Sequence, residues 1–245
     1  MANAKKIALI TGANKGLGFE MARQLSQAGV TVVLTARDPK KGEAAAEQLQ
    51  AEGLDVQFLK LDVTDPADHA AAAAFVAEKF GRLDILINNA GISAGELGTG
   101  KASTTSQDVL HQIFETNFFA PVALTQALLP LLQKSEAGRI VNMSSILGSQ
   151  ALHADPNSPI YNFKSLAYDA SKTALNSFTI HLSQELKDTS IKVNSAHPGW
   201  VKTDMGTDAA PMEIPEGGET GVALALLAED GPAGGFFHLG QPLPW

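Results

Sequence analysis

At 245 residues, with 44% hydrophobic and 18% charged side chains, the chain carries enough apolar material for a sizeable core. Its net charge of −8 argues against nucleic acid or an anionic membrane as the main partner, because both select basic surfaces. The absence of cysteine excludes disulfides and thiol catalysis.

The chain opens with Met1 to Lys6 and runs directly into an apolar Ile7–Ile10, without the long apolar region and cleavage site of a signal peptide. No stretch of about 18 apolar residues suggests a membrane span, so the cytoplasm is the expected location. Short apolar runs then alternate with longer helical patterns. Strands are predicted at Ile7–Ile10, Val30–Thr35, Val56–Leu61, Ile85–Asn88, Ile140–Met143, Ile191–Ala196 and near Phe236–His238. Helices are predicted at 17–28, 40–52, 67–80, 106–133, 168–186 and 216–228, with Ala70–Ala74 as a strong helix-forming run. Repeated β-then-α units with nearly continuous apolar strands predict a doubly wound α/β fold, a parallel sheet covered on both faces. No linker or repeat divides the chain, so a single domain over 1–245 is expected. Three stretches, 92–104, 149–167 and 203–215, fit no element. Each follows the C-terminal end of a predicted strand, the edge at which open α/β sheets bind ligands.

The first strand ends in Thr11-Gly12-Ala13-Asn14-Lys15-Gly16-Leu17-Gly18, followed by a helix. Glycines here permit a tight turn and let main-chain N–H groups approach a pyrophosphate at the positive end of the helix. The spacing departs from G-x-G-x-x-G, with three residues between the first two glycines. After the second strand, a cofactor lacking a 2′-phosphate usually meets an acid; here Ala36 stands in that place and Arg37 follows, with Lys15 nearby. Two cations favour the 2′-phosphate of NADP(H), while Asp38 keeps NAD(H) as the less favoured choice. Asp62-Val63 after the third strand fits either an adenine contact or a loop cap. Asn88-Asn89-Ala90-Gly91 after the fourth combines small residues, which allow a close ligand approach, with amides that tie neighbouring strands. Asn117 interrupts a helical pattern, where it either faces solvent or distorts the helix. Ser144-Ser145 at the end of the fifth strand offers a hydroxyl to a substrate oxygen or to a turn.

Tyr168-Asp169-Ala170-Ser171-Lys172 opens the next helix, and its i,i+4 spacing sets Tyr168 beside Lys172. An ammonium held near a phenol favours the phenolate and lowers its pKa, which suits a proton donor. The six histidines are scattered, with no pair at metal-ligand spacing near an acid, so no metal site is expected.

Together and in this order, these motifs resemble the short-chain dehydrogenase/reductase family. The glycine loop matches Thr11 to Gly18, the Asn-Asn-Ala-Gly motif Asn88 to Gly91, and the helix asparagine Asn117. The serine falls on Ser145, Tyr-x-x-x-Lys on Tyr168 and Lys172, and the Pro-Gly after the sixth strand on Pro198-Gly199. The resemblance implies a Rossmann-type fold and reversible hydride transfer between a nicotinamide and a carbonyl or alcohol of a small molecule. Tyr168 would be the acid/base. Lys172 would lower its pKa and hold the nicotinamide ribose, and Ser145 would orient the substrate oxygen. Asn117 would bind a water linking Lys172 to solvent. Val201 and Thr203 would position the carboxamide. Segments Thr11–Gly16, Leu34–Asp38 and His197–Met205 resemble the carbonyl reductase branch, which is typically NADPH-dependent. From Ser145 to Tyr168 there are about ten more residues than in a typical member, around His153 to Lys164, which leaves monomer and homo-oligomer both open. A dinucleotide-binding sensor or scaffold of the same fold is the alternative, and such proteins usually lack the tetrad that is complete here. Leu152, Ile160, Phe163, Trp200, Met205 and Met212 are candidates to line an apolar substrate pocket.

Overall fold

A computed structural model describes residues 5–95 and 97–245. Met1 to Ala4 of the opening segment and position 96 in the first irregular stretch lie outside the described residues. Eight strands form one sheet in the order β3-β2-β1-β4-β5-β6-β7-β8. They are β1 (Ile7–Ile10), β2 (Thr31–Ala36), β3 (Val56–Lys60), β4 (Ile85–Asn88), β5 (Arg139–Met143), β6 (Lys192–Ala196), β7 (Phe236–His238) and β8 (Gln241–Pro242). The pairings from β3 through β7 are all parallel, and only β7 with β8 is antiparallel. The last strand went unpredicted because it is two residues long; Leu239 and Gly240, with φ of 45° and 76°, turn the chain back onto β7.

Alternate residues of each strand enter two separate cores. Ala8, Ile10, Val32, Leu34, Ile85, Ile87, Val141, Met143 and Ala196 face α1 (Gly16–Gln27), α2 (Pro39–Ala51) and, later in the chain, the helix Ile214–Ala225. Leu9, Val33, Leu86, Ile140 and Val193 face α3 (Pro66–Phe80), the helix Ala120–Leu132 and the helix Leu166–Glu185. Burial on both faces is why these strands read as continuous apolar runs rather than alternating ones. Caps set several helix starts. Asp38 accepts from the Lys41 N–H ahead of Pro39, Asp65 accepts from Ala67 ahead of Pro66, and Gly81 ends α3 with a φ of 74°.

The single helix expected over 106–133 is three pieces: α4 (Gln107–Phe114), a π turn at Glu115–Phe119, and α5 (Ala120–Leu132). Asn117 sits in the π turn, fully buried, so the distortion and not the solvent-facing option is realised. The stretch 149–167 contains a short helix, α6 (Gln150–Ala154), started by the Ser149 hydroxyl, which accepts from the Leu152 N–H. α7 (Leu166–Glu185) begins two residues before Tyr168, and α8 (Ile214–Ala225) completes the covering helices. No helix among the described residues is long and apolar enough to cross a membrane.

Beneath the sheet, polar side chains join three central strands and two helices. Asn88 of β4 donates to Asn142 of β5 (2.8 Å) and to Thr125 of α5 (3.0 Å). Asn142 in turn donates to Thr179 of α7, also at 2.8 Å, and Thr179 bonds Ser195 of β6 at 2.9 Å. Removing one partner would leave the others buried and unmatched. Asn142→Ala is therefore expected to cost about 2 kcal/mol or more, read as a lower urea midpoint with an unchanged slope; an unshifted midpoint would show that the network adds nothing.

Candidate active site

The C-terminal ends of β1 and β4 meet where the strand order reverses, the place at which doubly wound sheets open a ligand crevice. Gly12 takes a φ of +61° there, and a Cβ on it would come within 3.1 Å of the Ala90 backbone. Gly18 is more tightly confined, since a Cβ would lie 2.5 Å from Asn89 Nδ2 and 2.7 Å from the Gly12 carbonyl. Thr11 Oγ1 accepts from the N–H groups of both Asn89 and Ala90 at 2.9 Å, and Asn89 Nδ2 donates to the carbonyls of Thr11 and Gly12. The Asn-Asn-Ala-Gly motif thus braces the glycine loop through Asn89 and the strands beneath through Asn88. Beyond the loop, α1 starts at Gly16 with no side-chain cap and no acid in its first turn. The residues present fit a dinucleotide: an uncapped helix start preceded by Asn14 and Lys15, in a loop from which Cβ atoms are excluded.

At the end of β2, Arg37 is exposed and makes no ion pair or hydrogen bond among the described residues, whereas Asp38 is engaged as the cap of α2. Lys15, expected beside Arg37, instead pairs with Asp204 from the loop after β6. A flexible ammonium in an exposed pair is held only weakly, but Arg37 is the cation left uncommitted. Asp62 is engaged as a loop cap, its Oδ1 accepting from the N–H and hydroxyl of Thr64, and half-buried Val63 follows it at the same sheet edge. After β6, Gly199 has a φ of +93° and is pressed against Met212 and His238. Val201 pairs with Met212 in a short parallel bridge and packs toward Leu17 and α8, while Thr203 lies over Gly16. Pro198 to Thr203 therefore closes the crevice on the side opposite Ala90 and Gly91.

The four residues of the predicted tetrad converge at this edge. Lys172, in the second turn of α7, is buried and donates from Nζ to the Met143 carbonyl at 2.8 Å, with Nζ 5.6 Å from the Tyr168 ring centroid. Tyr168 is buried, with the Ser145 side chain near enough to act on its phenol, and Ser145 Oγ accepts from the Leu147 N–H. Gly91 lies against both Asn117 Oδ1 and Lys172 Nζ, since a Cβ there would be 3.4 Å from each. Asn117 accepts from the Ile92 N–H (2.8 Å) and donates to the Ile92 carbonyl (2.9 Å) and to Ser171 Oγ (3.0 Å). Both donors of its amide are thus engaged by protein groups. The side chain ties the loop after β4 to α7.

Burial dominates the ionisation of Tyr168 and Lys172. Burial pushes the Tyr168 phenol up to about 12; the Ser145 hydrogen bond pulls the other way and the nearby Asp169 carboxylate adds to the rise. Burial pushes the Lys172 ammonium down to about 8. Lys172 points its ammonium at the Met143 carbonyl, and desolvation weighs on both groups. The phenol therefore keeps its proton through the neutral range.

Apolar side chains from separate loops close around Tyr168: Leu97 after β4, Ile146 and Leu147 after Ser145, Leu152 of α6, Ile160, and Met205 after β6. Leu152, Ile160 and Met205 were among the pocket candidates, whereas Leu97, Ile146 and Leu147 carried no periodic signal to single them out. Phe163 and Trp200 remain on the exposed rim, at 40% and 55% exposure, and Met212 lies under Gly199 instead.

A family model described as short chain dehydrogenase matches residues 6–214. The chain belongs to that family. A (-)-isopiperitenone reductase of Mentha piperita is 35% identical over 97% of this chain and 97% of its own. An NADPH carbonyl reductase of Mus musculus is 35% identical over 94% of each. Among solved structures, an NADPH-bound carbonyl reductase from chicken fatty liver superimposes with a TM-score of 0.86 at 31% identity, over 98% of this chain and 99% of that one. The chain is an oxidoreductase of this family.

The buried lysine has a consequence for stability. Its folded-state pKa lies below the ordinary value of 10.5, so between about pH 8 and 10.5 the unfolded chain binds the extra proton. Stability from this group rises with pH across that window, and charging the buried amine below it is a penalty. Relative to Lys172→Met, the wild type should gain up to about 3 kcal/mol between pH 8 and 10.5. Parallel stability curves for the two proteins would refute the buried, easily neutralised lysine.

Proposed function

We propose that this chain is an NADPH-dependent reductase of small carbonyl compounds, with Tyr168 as the general acid toward the substrate oxygen and, in reverse, as the base toward the alcohol. The observation that carries the reading is the buried phenol of Tyr168, near Ser145 at the C-terminal edge of the sheet, with Lys172 Nζ 5.6 Å from its ring centroid on the first turns of α7. The mouse relative and the chicken structure, both NADPH carbonyl reductases, support the same choice of cofactor. One sheet built from strands spread between Ile7 and Pro242 supports reading the chain as a single domain.

The main-chain groups from Gly12 to Gly18 would bind the pyrophosphate, Arg37 the 2′-phosphate with Lys15 released from Asp204, and Asp62-Val63 the adenine end. Asn89 to Gly91, Tyr168, Lys172 and the Pro198–Thr203 turn would hold the nicotinamide half. The bound nicotinamide supplies the hydride. The protein's share is then to orient and to move a proton. Ser145 Oγ donates to the carbonyl oxygen and stabilises its growing charge. Tyr168, kept neutral by burial, gives its hydroxyl proton to that oxygen. Lys172 stabilises the phenolate left behind, an interaction that strengthens as the negative charge forms. Leu97, Ile146, Leu152, Ile160 and Met205 exclude water and favour an apolar substituent on the carbonyl carbon.

A panel of aldehydes and ketones, with NADPH and NADH oxidation followed by absorbance and product chirality determined, tests the reaction. Tyr168→Phe is expected to bind NADPH almost normally and to lose turnover by about a hundredfold or more; wild-type rates in that variant would rule out the acid/base role. Arg37→Asp is expected to weaken NADPH by about tenfold or more relative to NADH. Unchanged relative affinities would remove the 2′-phosphate assignment. Tight NADPH binding without turnover of any carbonyl would favour the sensor instead.

A further inference from the structure

His197 follows β6 and is buried, one residue before Pro198, and no part of the mechanism above uses it. Its Nδ1 accepts from the main-chain N–H of Ile146 at 3.2 Å and from that of Gly199 at 3.4 Å. An Nδ1 that accepts carries no hydrogen, so the ring is the Nε2–H tautomer. The ring itself is held from below: its centroid lies 4.8 Å from that of His238, whose Nδ1 donates to the His197 carbonyl at 2.9 Å. The His197 N–H is fixed to the Phe237 carbonyl of β7. Among the described residues, nothing else charged or titratable is in hydrogen-bonding contact with the imidazole. Burial, together with the neighbouring His238, pushes its pKa down to about 3, so it stays neutral in the working range.

The two N–H groups that converge on this one nitrogen belong to different parts of the site. Ile146 directly follows Ser145, and Gly199 begins the turn that runs to Val201 and Thr203. The Ser145 bend has local bonds, from Leu147 N–H to Ser145 Oγ and from Gly148 N–H to the Ser145 carbonyl, and its later carbonyls are held by His153 of α6 and by Thr173 and Asn176 of α7, none of which reaches the β6 side. The other bond from the bend to the β6 side is between main chains, from Ser144 N–H to the Ala196 carbonyl, one residue before the bend turns away. His197 is therefore the side chain that ties the Ser145 bend and the Gly199 turn to each other.

We propose that His197 is a positioning residue for hydride transfer, its Nδ1 setting the spacing between Ser145 and the Pro198–Thr203 turn, and so between the substrate oxygen and the nicotinamide. The inference rests on the reductase reading above. A displacement on the order of 1 Å between reacting groups is enough to cost about a hundredfold in rate. The imidazole suits the task because it accepts from two donors while remaining uncharged; a protonated ring would turn Nδ1 into a donor facing two others.

The test compares wild type, His197→Asn and His197→Leu, using NADPH and the best carbonyl of the panel. Asparagine Oδ1 stands at about the same distance from the backbone as Nδ1 and can accept; leucine fills similar space and cannot. His197→Leu is expected to lower kcat by about a hundredfold while NADPH affinity stays within about threefold, with His197→Asn restoring kcat to within about tenfold of wild type. Wild-type kcat in His197→Leu, whatever its melting temperature, would overturn the positioning role, as would equal losses in both variants. Should the leucine variant not fold, the nitrogen-15 spectrum of the wild-type histidines decides. A bare, hydrogen-bonded Nδ1 on His197 that does not titrate between about pH 5 and 8 is expected; an Nδ1–H tautomer or a titration in that range overturns the proposal. A wild type that reduces no carbonyl would sink the reductase reading and this inference with it, whereas an active wild type with an unaffected leucine variant sinks this inference alone.

Discussion

The ammonium of Lys172, bonded to the Met143 carbonyl at the last residue of β5, is the contact on which the rest of the site depends. A lysine buried at 4% exposure is costly unless its hydrogens find acceptors. Here the acceptor is main chain, so helix and strand end are locked together. That bond fixes where the first turn of α7 lies on the sheet. With Lys172 anchored at Met143, Tyr168 one helical turn earlier is brought over Ser145, two residues further along the strand. The i,i+4 spacing becomes geometry only because its second member is held by a strand.

The glycine loop depends on its neighbours in the same way. Its glycines make a close approach possible, but its shape is held by Thr11 and Asn89, which bond across two strand ends. The apolar surroundings of Tyr168 are assembled across greater sequence distances. Loop 97–100 joins the segment before α7 through the Thr99–Lys164 bridge and through Gly98 N–H donating to Ser165 Oγ at 2.7 Å. His153 connects the added segment to the Ser145 bend by bonding the Leu147 carbonyl, and Lys164 bonds both Nδ1 and the carbonyl of His153. The extra residues before Tyr168 are thereby built into the wall of the site rather than projecting from it.

Much of this was legible one element at a time. The seven parallel strands were readable because burial on both faces leaves no polar alternation to confuse the period, and their ends were misplaced by only a residue or so. The motif residues were readable because glycine, asparagine and proline carry local conformational meaning. The π turn was visible only as an asparagine in an awkward place, and α6 was too short for periodicity to register. Lys15 was read by its nearness in sequence to Gly16, whereas its partner Asp204 comes from a loop 189 residues away. Leu97 and Ile146 gave no signal, since a lone apolar side chain has no pattern of its own, and His197 stood out only as the start of the segment running to Met205.

The sequence by itself determined the order of strands and helices, the glycine turn, and the presence of a phenol, an ammonium and a hydroxyl at loop and helix starts beside the same sheet edge. These follow from local rules: burial period, backbone freedom and side-chain spacing. Only the tertiary structure decided the state of those groups. Desolvation, which depends on everything packed around a site, raises Tyr168 and lowers Lys172, a contribution that residue spacing does not carry. Which hydrogen bonds hold Asn117, Asp38, Asp62 and His197 was likewise decided by the fold, because each donor or acceptor can be satisfied in several ways until packing leaves one.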